Sequence, residues 1–249
     1  MCLMAFAWQV GQYPLTLLGN RDEFHARPTR EATFWTEEGF PQLLAGKDLD
    51  AGGTWMGVTR QQRFAALTNI RAPGAAAAPR SRGTLVLDYL TSEVPPDQYL
   101  EHLGASASEY GGFNLLVGNA DALWYFNSRE KQARALGPGV YGLSNGSLES
   151  RWPKQQRLHD GLAADPQGEP GDLLALLADS RTYADAELPS TGVPLELERA
   201  LSAAFIVGEA YGTRASTFMR LDGTGGLSFV ERRFGPMGVP AGESAWQLA

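Results

Sequence analysis

Apolar residues open the chain in two short runs, 3–10 and 14–19, on either side of a break at Gly11-Gln12-Tyr13. Runs of this length around a glycine-containing break predict a β-hairpin. Pro14 fits the first residue of the second strand, where a missing N–H does least harm. The second strand then leads into a dense polar cluster, Asn20-Arg21-Asp22-Glu23.

The hairpin brings the only cysteine of the chain, Cys2, close to this polar cluster. If the turn centres near Gln12, antiparallel partners sum to about 24, and Cys2 lies roughly opposite Asp22. If the register differs by one or two residues, Arg21 or Glu23 lies opposite Cys2 in place of Asp22. In every register a guanidinium that favours the thiolate and a carboxylate that can orient an amine lie beside the thiol. Which of Asp22 and Glu23 faces Cys2 stays open.

Two interpretations of Cys2 compete. A lone cysteine is most often a small buried hydrophobe, and a polar cluster of this kind is most often a solvated turn. However, Met1 is normally removed when a cysteine follows it, which would expose an N-terminal Cys2 with its own α-amine. That amine, with a pKa of roughly 8, would be a built-in base for the nucleophile.

The rest of the chain alternates between groups of strands and pairs of helices. Short apolar runs predict strands near 43–44, after 52–55, and at 64–69, 112–119, 122–127, 140–145, 203–207, 213–221 and 227–234. Helical spacing predicts helices from Ser81 to Leu90, from Pro95 to Leu103, from Trp152 to Leu162 and over 173–177.

Three segments show neither the helical nor the strand spacing of apolar residues. Residues 31–50 are predicted to be loop apart from the short strand, and residues 181–196 are predicted to be irregular. Residues 72–80, rich in alanine between two prolines, are predicted to form a mobile loop or lid. On the third helix, Lys154, Arg157 and His159 are interpreted as a solvated face.

Strands that cluster and helices that come in pairs favour an α+β fold over alternating βα units. We expect two antiparallel sheets with helices outside them. No shift in composition divides the chain, so residues 1–249 are predicted to form one domain.

Composition narrows the function classes. The net charge of −7 argues against nucleic-acid binding, which requires clustered positive charge. A single cysteine excludes an internal disulfide and a cysteine-rich metal site. The N-terminus has no basic segment before its apolar residues, and no apolar stretch reaches the length of a transmembrane helix. We therefore expect a cytoplasmic protein without a membrane span, with no metal and no required cofactor.

Strand ends supply further candidate groups. Asn69 and Asn145 each follow a short apolar strand. An asparagine there is usually a turn former, yet its amide can also donate to an oxyanion. His25 is a possible acid or base, although nothing downstream positions it. Trp55 is either core or pocket wall.

Several motifs together resemble one family. The set is Asn20-Arg21-Asp22-Glu23-Phe24 with Arg27-Pro28, GGTW at 52–55, AALTN at 65–69, SRG at 81–83, GFNL at 112–115, YGLSN at 141–145 and YGTR at 211–214. In this order the motifs resemble the transport-and-Golgi-organisation family, also called the NRDE family, over nearly the full chain. That family is in turn similar to N-terminal-nucleophile hydrolases of the bile-salt-hydrolase and penicillin-acylase type.

The resemblance implies a four-layer αββα sandwich and a set of site residues. Cys2 would be the nucleophile, and Arg21 and Asp22 would be the polar residues at the end of the second strand. Asn69 and Asn145 would be the oxyanion-stabilising asparagines. Arg214, found by the resemblance alone, would be a site arginine on a late strand.

Three functions follow from this set of residues. In the first, Cys2 attacks an amide or thioester of a small acyl compound, and Arg21 and Arg214 bind an anionic substrate. In the second, implied by the family's association with haem trafficking and with acyl-CoA or lipid handling, the same pocket carries haem or an acyl chain between walls that include Trp8 and Trp55. In the third, the chain is an inactive scaffold. The oligomeric state stays open.

Overall fold

Two antiparallel sheets face each other, and helices cover both of their outer faces. The computed structural model describes residues 2–74 and 78–249. This arrangement confirms the α+β fold and the αββα sandwich predicted from the sequence.

The described residues contain thirteen strands. In chain order they are β1 Cys2–Val10, β2 Tyr13–Phe24, β3 Thr29–Trp35, β4 Phe40–Asp48, β5 Met56–Thr59, β6 Phe64–Asn69, β7 Phe113–Gly118, β8 Leu123–Asn127, β9 Gln132–Ala135, β10 Gly139–Leu143, β11 Tyr211–Leu221, β12 Leu227–Phe234 and β13 Pro240–Leu248. One sheet has the order β10-β1-β2-β11-β12-β13, and the other has the order β3-β4-β5-β6-β7-β8-β9.

Helices of the described residues form the outer layers. They are α1 Gly83–Thr91, α2 Pro96–Ser106, α3 Pro153–Ala164, α4 Pro170–Ala175 and α5 Leu195–Ala200. Helices α1 and α2 pack on the second sheet, whereas α3 and α4 pack on the first. No helix in the described ranges has both the length and the apolar character that crossing a bilayer requires.

Alternation along β1 and β2 divides their side chains between two cores. Met4, Phe6 and Trp8 point between the sheets, whereas Leu3, Ala5 and Ala7 point toward α3 and α4. Because side chains alternate along a strand, Cys2 shares the inner face with Met4. In β2, by the same rule, Arg21 shares the inner face with Leu17, whereas Asp22 shares the outer face with Leu18.

The β1–β2 hairpin turns through only two residues, Gly11 and Gln12. Gly11 has φ +74°, a left-handed conformation that glycine adopts without strain. Val10 therefore pairs with Tyr13, and Cys2 pairs with Arg21. The prediction that Cys2 lies opposite Asp22 was wrong by one residue, because the turn is centred between Gly11 and Gln12 rather than on Gln12.

Other differences occur at the exposed edges of the sheets. Residues 31–50 are largely strand, in β3 and β4, rather than loop. Strands β9 and β13 were not predicted, and both have mostly exposed or half-exposed side chains that give no clear apolar run. The predicted loop at 72–80 includes residues 75–77, which lie outside the described residues.

Residues 203–207 were predicted to be a strand, but they form an irregular strap across the outer face of the first sheet. The apolar side chains of 203–206 are buried, and side chains of neighbouring elements bind the backbone. Asn20 Nδ2 donates to the carbonyl of Ala204 at 2.8 Å, and Lys154 Nζ donates to that of Ala203 at 3.4 Å. These bonds replace a strand ladder, so apolar character alone was misleading.

Two glycines from separate motifs touch each other through their backbones. A Cβ added to Gly53 would lie 2.5 Å from the carbonyl oxygen of Gly83, so only glycine fits at position 53. The next residue, Thr54, donates its backbone N–H to that same carbonyl at 3.2 Å. This contact fixes the loop before β5 against the start of α1.

We predict that Gly53→Ala lowers the free energy of unfolding by about 1–3 kcal/mol, because backbone atoms cannot move aside as a flexible side chain can. Gly104→Ala is the matched control, since Gly104 lies on the exposed face of α2 with nothing near an added Cβ. The control is expected to stabilise the protein by up to about 1 kcal/mol. Urea denaturation measures both, and equal effects of the two changes would contradict the close contact.

Candidate functional site

A cavity of about 430 Å³ opens where the polar end of β2 meets the start of α1. Cys2, Arg21 and Glu23 line it from the hairpin, and Trp55 and Asn69 line it from the second sheet. Ser81, Arg82 and Gly83 form another part of its wall. Its volume suits a small organic ligand.

Cys2 lies at the start of β1 and lines this cavity with only 8% of its surface exposed. Burial is the largest influence on its thiol, and it raises the pKa above the ordinary value. The positive charge of Arg21 lowers that pKa, whereas the negative charge of Asp22 raises it. Arg21 thus favours the thiolate as expected from its charge, but burial outweighs the guanidinium and the net shift of the pKa is upward.

Arg21 faces Cys2 directly across the hairpin and stacks on Trp55. Its guanidinium carbon lies 4.3 Å from the centre of the indole, a cation–π distance. Trp55 in turn lies against the backbone of Gly46, where a Cβ would come within 2.7 Å of indole Cζ2. The indole thus contacts both the backbone of Gly46 and the guanidinium of Arg21. These contacts hold Arg21 at 5% exposure on the cavity wall.

Asp22 borders the cavity, but its side chain lies on the outer face of the sheet. Thr213, its partner on β11, donates its hydroxyl to Asp22 Oδ1 at 2.7 Å. Burial raises the pKa of the carboxyl, and the nearby charge of Lys154 lowers it. Asp22 is therefore a buried acid on the opposite face of the sheet from the Cys2 side chain.

Lys154 was interpreted as part of a solvated helix face, and this was wrong. Its side chain is 3% exposed, and burial lowers its pKa to about 8 despite the charge of Asp22. Lys154, Leu158 and Leu162 are four residues apart, so they occupy the same face of α3. That spacing was the signal that could have identified Lys154 as buried.

The two candidate asparagines lie in adjoining cavities. Asn69 lines the cavity of Cys2, whereas Asn145 lines a neighbouring cavity of about 620 Å³. They are connected because Asn145 Nδ2 donates to the Asn69 carbonyl at 2.8 Å. Asn114 supports this pair, since its own amide donates to the carbonyl of Gly146 at 2.8 Å. The structure thus places Asn69 in the same cavity as Cys2, whereas Asn145 contacts Asn69 from the neighbouring cavity.

Arg214 does not line the cavity. It is the extra residue of a β-bulge in β11, between Thr213 and Ala215. Its Nη1 donates to the carbonyls of Phe24 at 2.9 Å and Arg27 at 3.1 Å. The guanidinium therefore binds the loop that follows β2, and it reaches the site only by holding that loop.

Two aromatic or basic candidates also lie away from the cavity. Trp8 is 1% exposed in the core between the sheets, so the expectation that it walls the pocket was wrong. His25 is on the loop after β2 and does not line the cavity. Burial lowers the pKa of its imidazole, and the charge of Arg214 acts in the same direction.

Arg82 is a cavity residue that sequence reasoning missed. It precedes α1 and donates from Nη1 to the carbonyl of Gly112 at 3.2 Å. The thiol of Cys2 and the carboxylate of Glu23 are near enough to influence its pKa, which burial lowers overall. The signal was the SRG motif itself, because Gly83 allows the contact with Gly53 that brings Arg82 to the wall.

No cluster of three or more His, Cys, Asp or Glu side chains with metal-binding geometry occurs within residues 2–74 and 78–249. The side chains that line the cavity of Cys2 offer thiol, amide, guanidinium, carboxylate and hydroxyl groups.

Comparison with known proteins gives one consistent family. The family model described as Transport and Golgi organisation 2 matches residues 1–236. The Transport and Golgi organization protein 2 homolog of Homo sapiens is 33% identical over 257 residues, which are 93% of this chain and 92% of that protein. The homolog of Bos taurus is 32% identical over 261 residues, with the same coverage of 93% and 92%.

Solved structures with the same fold are more distant. The Caenorhabditis elegans N-acylethanolamine-hydrolyzing acid amidase ortholog aligns with a TM-score of 0.52 at 13% identity, over 88% of this chain and 92% of its own. The mutant C2A conjugated bile acid hydrolase from Clostridium perfringens aligns with a TM-score of 0.53 at 8% identity, over 100% and 92%. At these identities the likeness shows the fold.

The charges around Cys2 predict the pH dependence of its reactivity. Because burial raises the thiol pKa, alkylation by iodoacetamide should reach its plateau at higher pH than alkylation of an exposed cysteine peptide. Arg21→Gln should move the midpoint further up and Asp22→Asn should move it down, since the two charges act in opposite directions. Intact-mass kinetics measure the profiles. A midpoint at or below that of the peptide would contradict the burial of the thiol.

Proposed function

The chain belongs to the Transport and Golgi organisation 2 family, and on that premise we propose that it is a cysteine hydrolase of the N-terminal-nucleophile type. It acts on an amide or thioester of a small acyl compound. The observation that carries the proposal is the placement of the only cysteine, at the start of a strand, on the wall of the 430 Å³ cavity and opposite Arg21. The names of the two solved neighbours, an acid amidase and a bile acid hydrolase, support the same reaction class.

The reaction begins with removal of Met1, which gives Cys2 a free α-amine. Since burial raises the pKa of the thiol, Sγ needs a base as it attacks. The α-amine, with a pKa of about 8, is available in the same residue. Sγ bonds to the carbonyl carbon while its proton passes to the amine, and the carbonyl oxygen takes the negative charge.

The tetrahedral intermediate collapses by breaking the bond to the amine or thiol leaving group, which takes the proton from the α-amine. The product is a thioester between Cys2 and the acyl group. A water molecule then attacks that thioester, with the α-amine again accepting the proton. The carboxylic acid leaves, and the Cys2 thiol is restored.

Asp22 is suited to orient the α-amine. In an antiparallel pair, the direction toward the N-terminus of β1 is the direction toward the C-terminus of β2. Asp22 is one residue beyond the partner of Cys2 in that direction. The hydroxyl of Thr213 fixes its carboxylate, and the charge of Lys154 opposes the effect of burial on its pKa.

Asn69 is the better placed of the two amides to donate to the oxyanion. It lines the cavity of Cys2, whereas Asn145 lines the neighbouring cavity and holds the Asn69 carbonyl. We therefore assign Asn69 to oxyanion stabilisation and Asn145 to positioning it. In characterised hydrolases, removal of one oxyanion donor lowers kcat by about 10²–10³.

Arg214 enters the mechanism only through the loop it binds. Its hydrogen bonds to the Phe24 and Arg27 carbonyls fix the segment that follows the polar cluster. Arg21 is the arginine that meets the reacting groups, since it lies across from Cys2 on the same face.

A second candidate is supported by the burial and raised pKa of the thiol. A pocket with a protonated, poorly exposed cysteine could carry a ligand without turnover. In that case the cavity binds haem or an acyl compound such as acyl-CoA, with Trp55 as a wall and the arginines on its acidic groups.

We expect Cys2→Ala to lower the hydrolysis of chromogenic acyl amides and acyl thioesters by roughly 10³-fold or more, because the nucleophile is gone. Cys2→Ser, which keeps the volume of the side chain, should also lose most activity while its melting temperature stays close to that of the wild type. Steady-state kinetics measure both variants. Unchanged hydrolysis by Cys2→Ala would refute the proposed mechanism.

The carrier makes a different prediction for the same variant. Haem and acyl-CoA should change the absorbance or the melting temperature of wild type and Cys2→Ala alike, with no product formed. Product formation that depends on Cys2 decides for the hydrolase, whereas ligand binding without turnover decides for the carrier.

A further inference from the structure

We propose that Arg21 and Arg82 form an anion-binding subsite beside Cys2, and that the acyl compound bound there bears a carboxylate or phosphate group. The substrate class rests on the proposed function, because the anion is taken to be part of the molecule that Cys2 attacks. The subsite itself follows from how the cavity distributes its positive and negative charges.

Arg21 lines the cavity and has a side-chain donor without an acceptor. It is only 5% exposed, yet its Nη1 has no hydrogen-bond partner in the part of the chain that the structure describes. Nη2 is 4.0 Å from Asp48, beyond hydrogen-bond distance. A buried guanidinium N–H without an acceptor costs free energy. An anionic group in the cavity would accept from it and remove this cost.

Arg82 has no carboxylate at ion-pair distance among the described residues, whereas Arg21 has only the long contact with Asp48 at 4.0 Å. Within residues 2–74 and 78–249 the Arg82 side chain donates one hydrogen bond, to the carbonyl of Gly112 at 3.2 Å, which leaves other guanidinium donors available. The other two cavity arginines are already paired. Arg27 Nε lies 2.8 Å from Asp48, and Arg80 Nη1 lies 3.3 Å from Glu109.

The acidic residues of the cavity hydrogen-bond to neither guanidinium in the described part of the chain. Asp48 is closer to Arg27 than to Arg21. Glu23 accepts the backbone N–H of Phe24 at 2.8 Å, although its charge also acts on Arg82, and Asp22 accepts from Thr213 on the outer face of the sheet. Both arginines therefore line the cavity with N–H donors that no carboxylate of the described residues accepts.

The positions of the two arginines define the kind of substrate. Arg21 is the cross-strand partner of Cys2, and Arg82 reaches the cavity because Gly53 and Gly83 touch. An anion between them would lie near the carbon that Sγ attacks. Guanidinium groups bind carboxylate and phosphate with paired N–H donors, so both anions fit. The inferred substrate thus carries its charge close to the scissile bond.

The test compares two alkylating agents on Cys2, the only thiol of the chain. Iodoacetate is an anion and iodoacetamide is neutral; in both reactions Sγ bonds to carbon, iodide leaves, and the thiol proton goes to solvent. We expect the ratio of the iodoacetate rate to the iodoacetamide rate to exceed that of a cysteine peptide. Arg82→Gln should lower this ratio by about three- to tenfold.

Two further variants make the experiment specific. Arg82→Lys keeps the charge and should keep most of the ratio. Arg80→Gln removes an exposed arginine that is already paired with Glu109, so the ratio should stay as in the wild type. Intact-mass kinetics follow the alkylation, and melting temperatures confirm that each variant is folded. An Arg82→Gln ratio equal to that of the wild type would overturn the subsite.

Competition separates the two anions. Protection of Cys2 from iodoacetamide by inorganic phosphate supports a phosphate ligand, and protection by acetate supports a carboxylate ligand. Protection by neither would overturn the subsite. Because alkylation needs no turnover, the subsite can hold while the hydrolase fails. Conversely, equal hydrolysis of anionic and neutral substrates would support the hydrolase and contradict the subsite.

Discussion

The register between β1 and β2 determines the chemistry that the site can perform. A two-residue turn makes Cys2 the partner of Arg21, and the alternation of a strand then sends both side chains between the sheets. The same alternation sends Asp22 to the other face, under α3 and the strap at 203–207. A slip of one residue would exchange these faces and bury the thiol among the leucines of the outer layer. The turn at Gly11-Gln12 therefore places the side chains of Cys2 and Asp22 on opposite faces of the sheet.

Much of the fold could be predicted from the sequence because the core strands are strongly apolar. The first hairpin, the helices of both outer layers and the αββα layering were all recoverable from periodicity and motif order. The edge strands were not, because β9 and β13 expose most of their side chains and carry no apolar run. Residues 203–207 were misleading for the opposite reason. They are apolar and mostly buried, but Asn20 and Lys154 bind the carbonyls of Ala204 and Ala203 in place of a neighbouring strand.

The sequence predicted that Cys2 and Arg21 lie together, but it predicted fewer of the residues around them. Cys2 and Arg21 could be found from spacing, since one hairpin brings them together. Arg82 could not, because its position depends on a backbone contact between Gly53 and Gly83, about thirty residues apart. The net effect on the thiol was also out of reach: a sequence shows the charge of Arg21 but not the depth of burial that outweighs it. Arg214 was named by resemblance, and its hydrogen bonds to the carbonyls after β2 give it a different position from the cavity wall.

The central claim is that the mature protein begins with a cysteine that accepts an acyl group. The most direct measurement is the intact mass of the purified protein, before and after mixing with an activated acyl ester. The account predicts a chain lighter than the sequence by one methionine residue, which gains a single acyl group on Cys2 and loses it again in water. A chain that retains Met1, or that gains no acyl group while Cys2 is free, would contradict it.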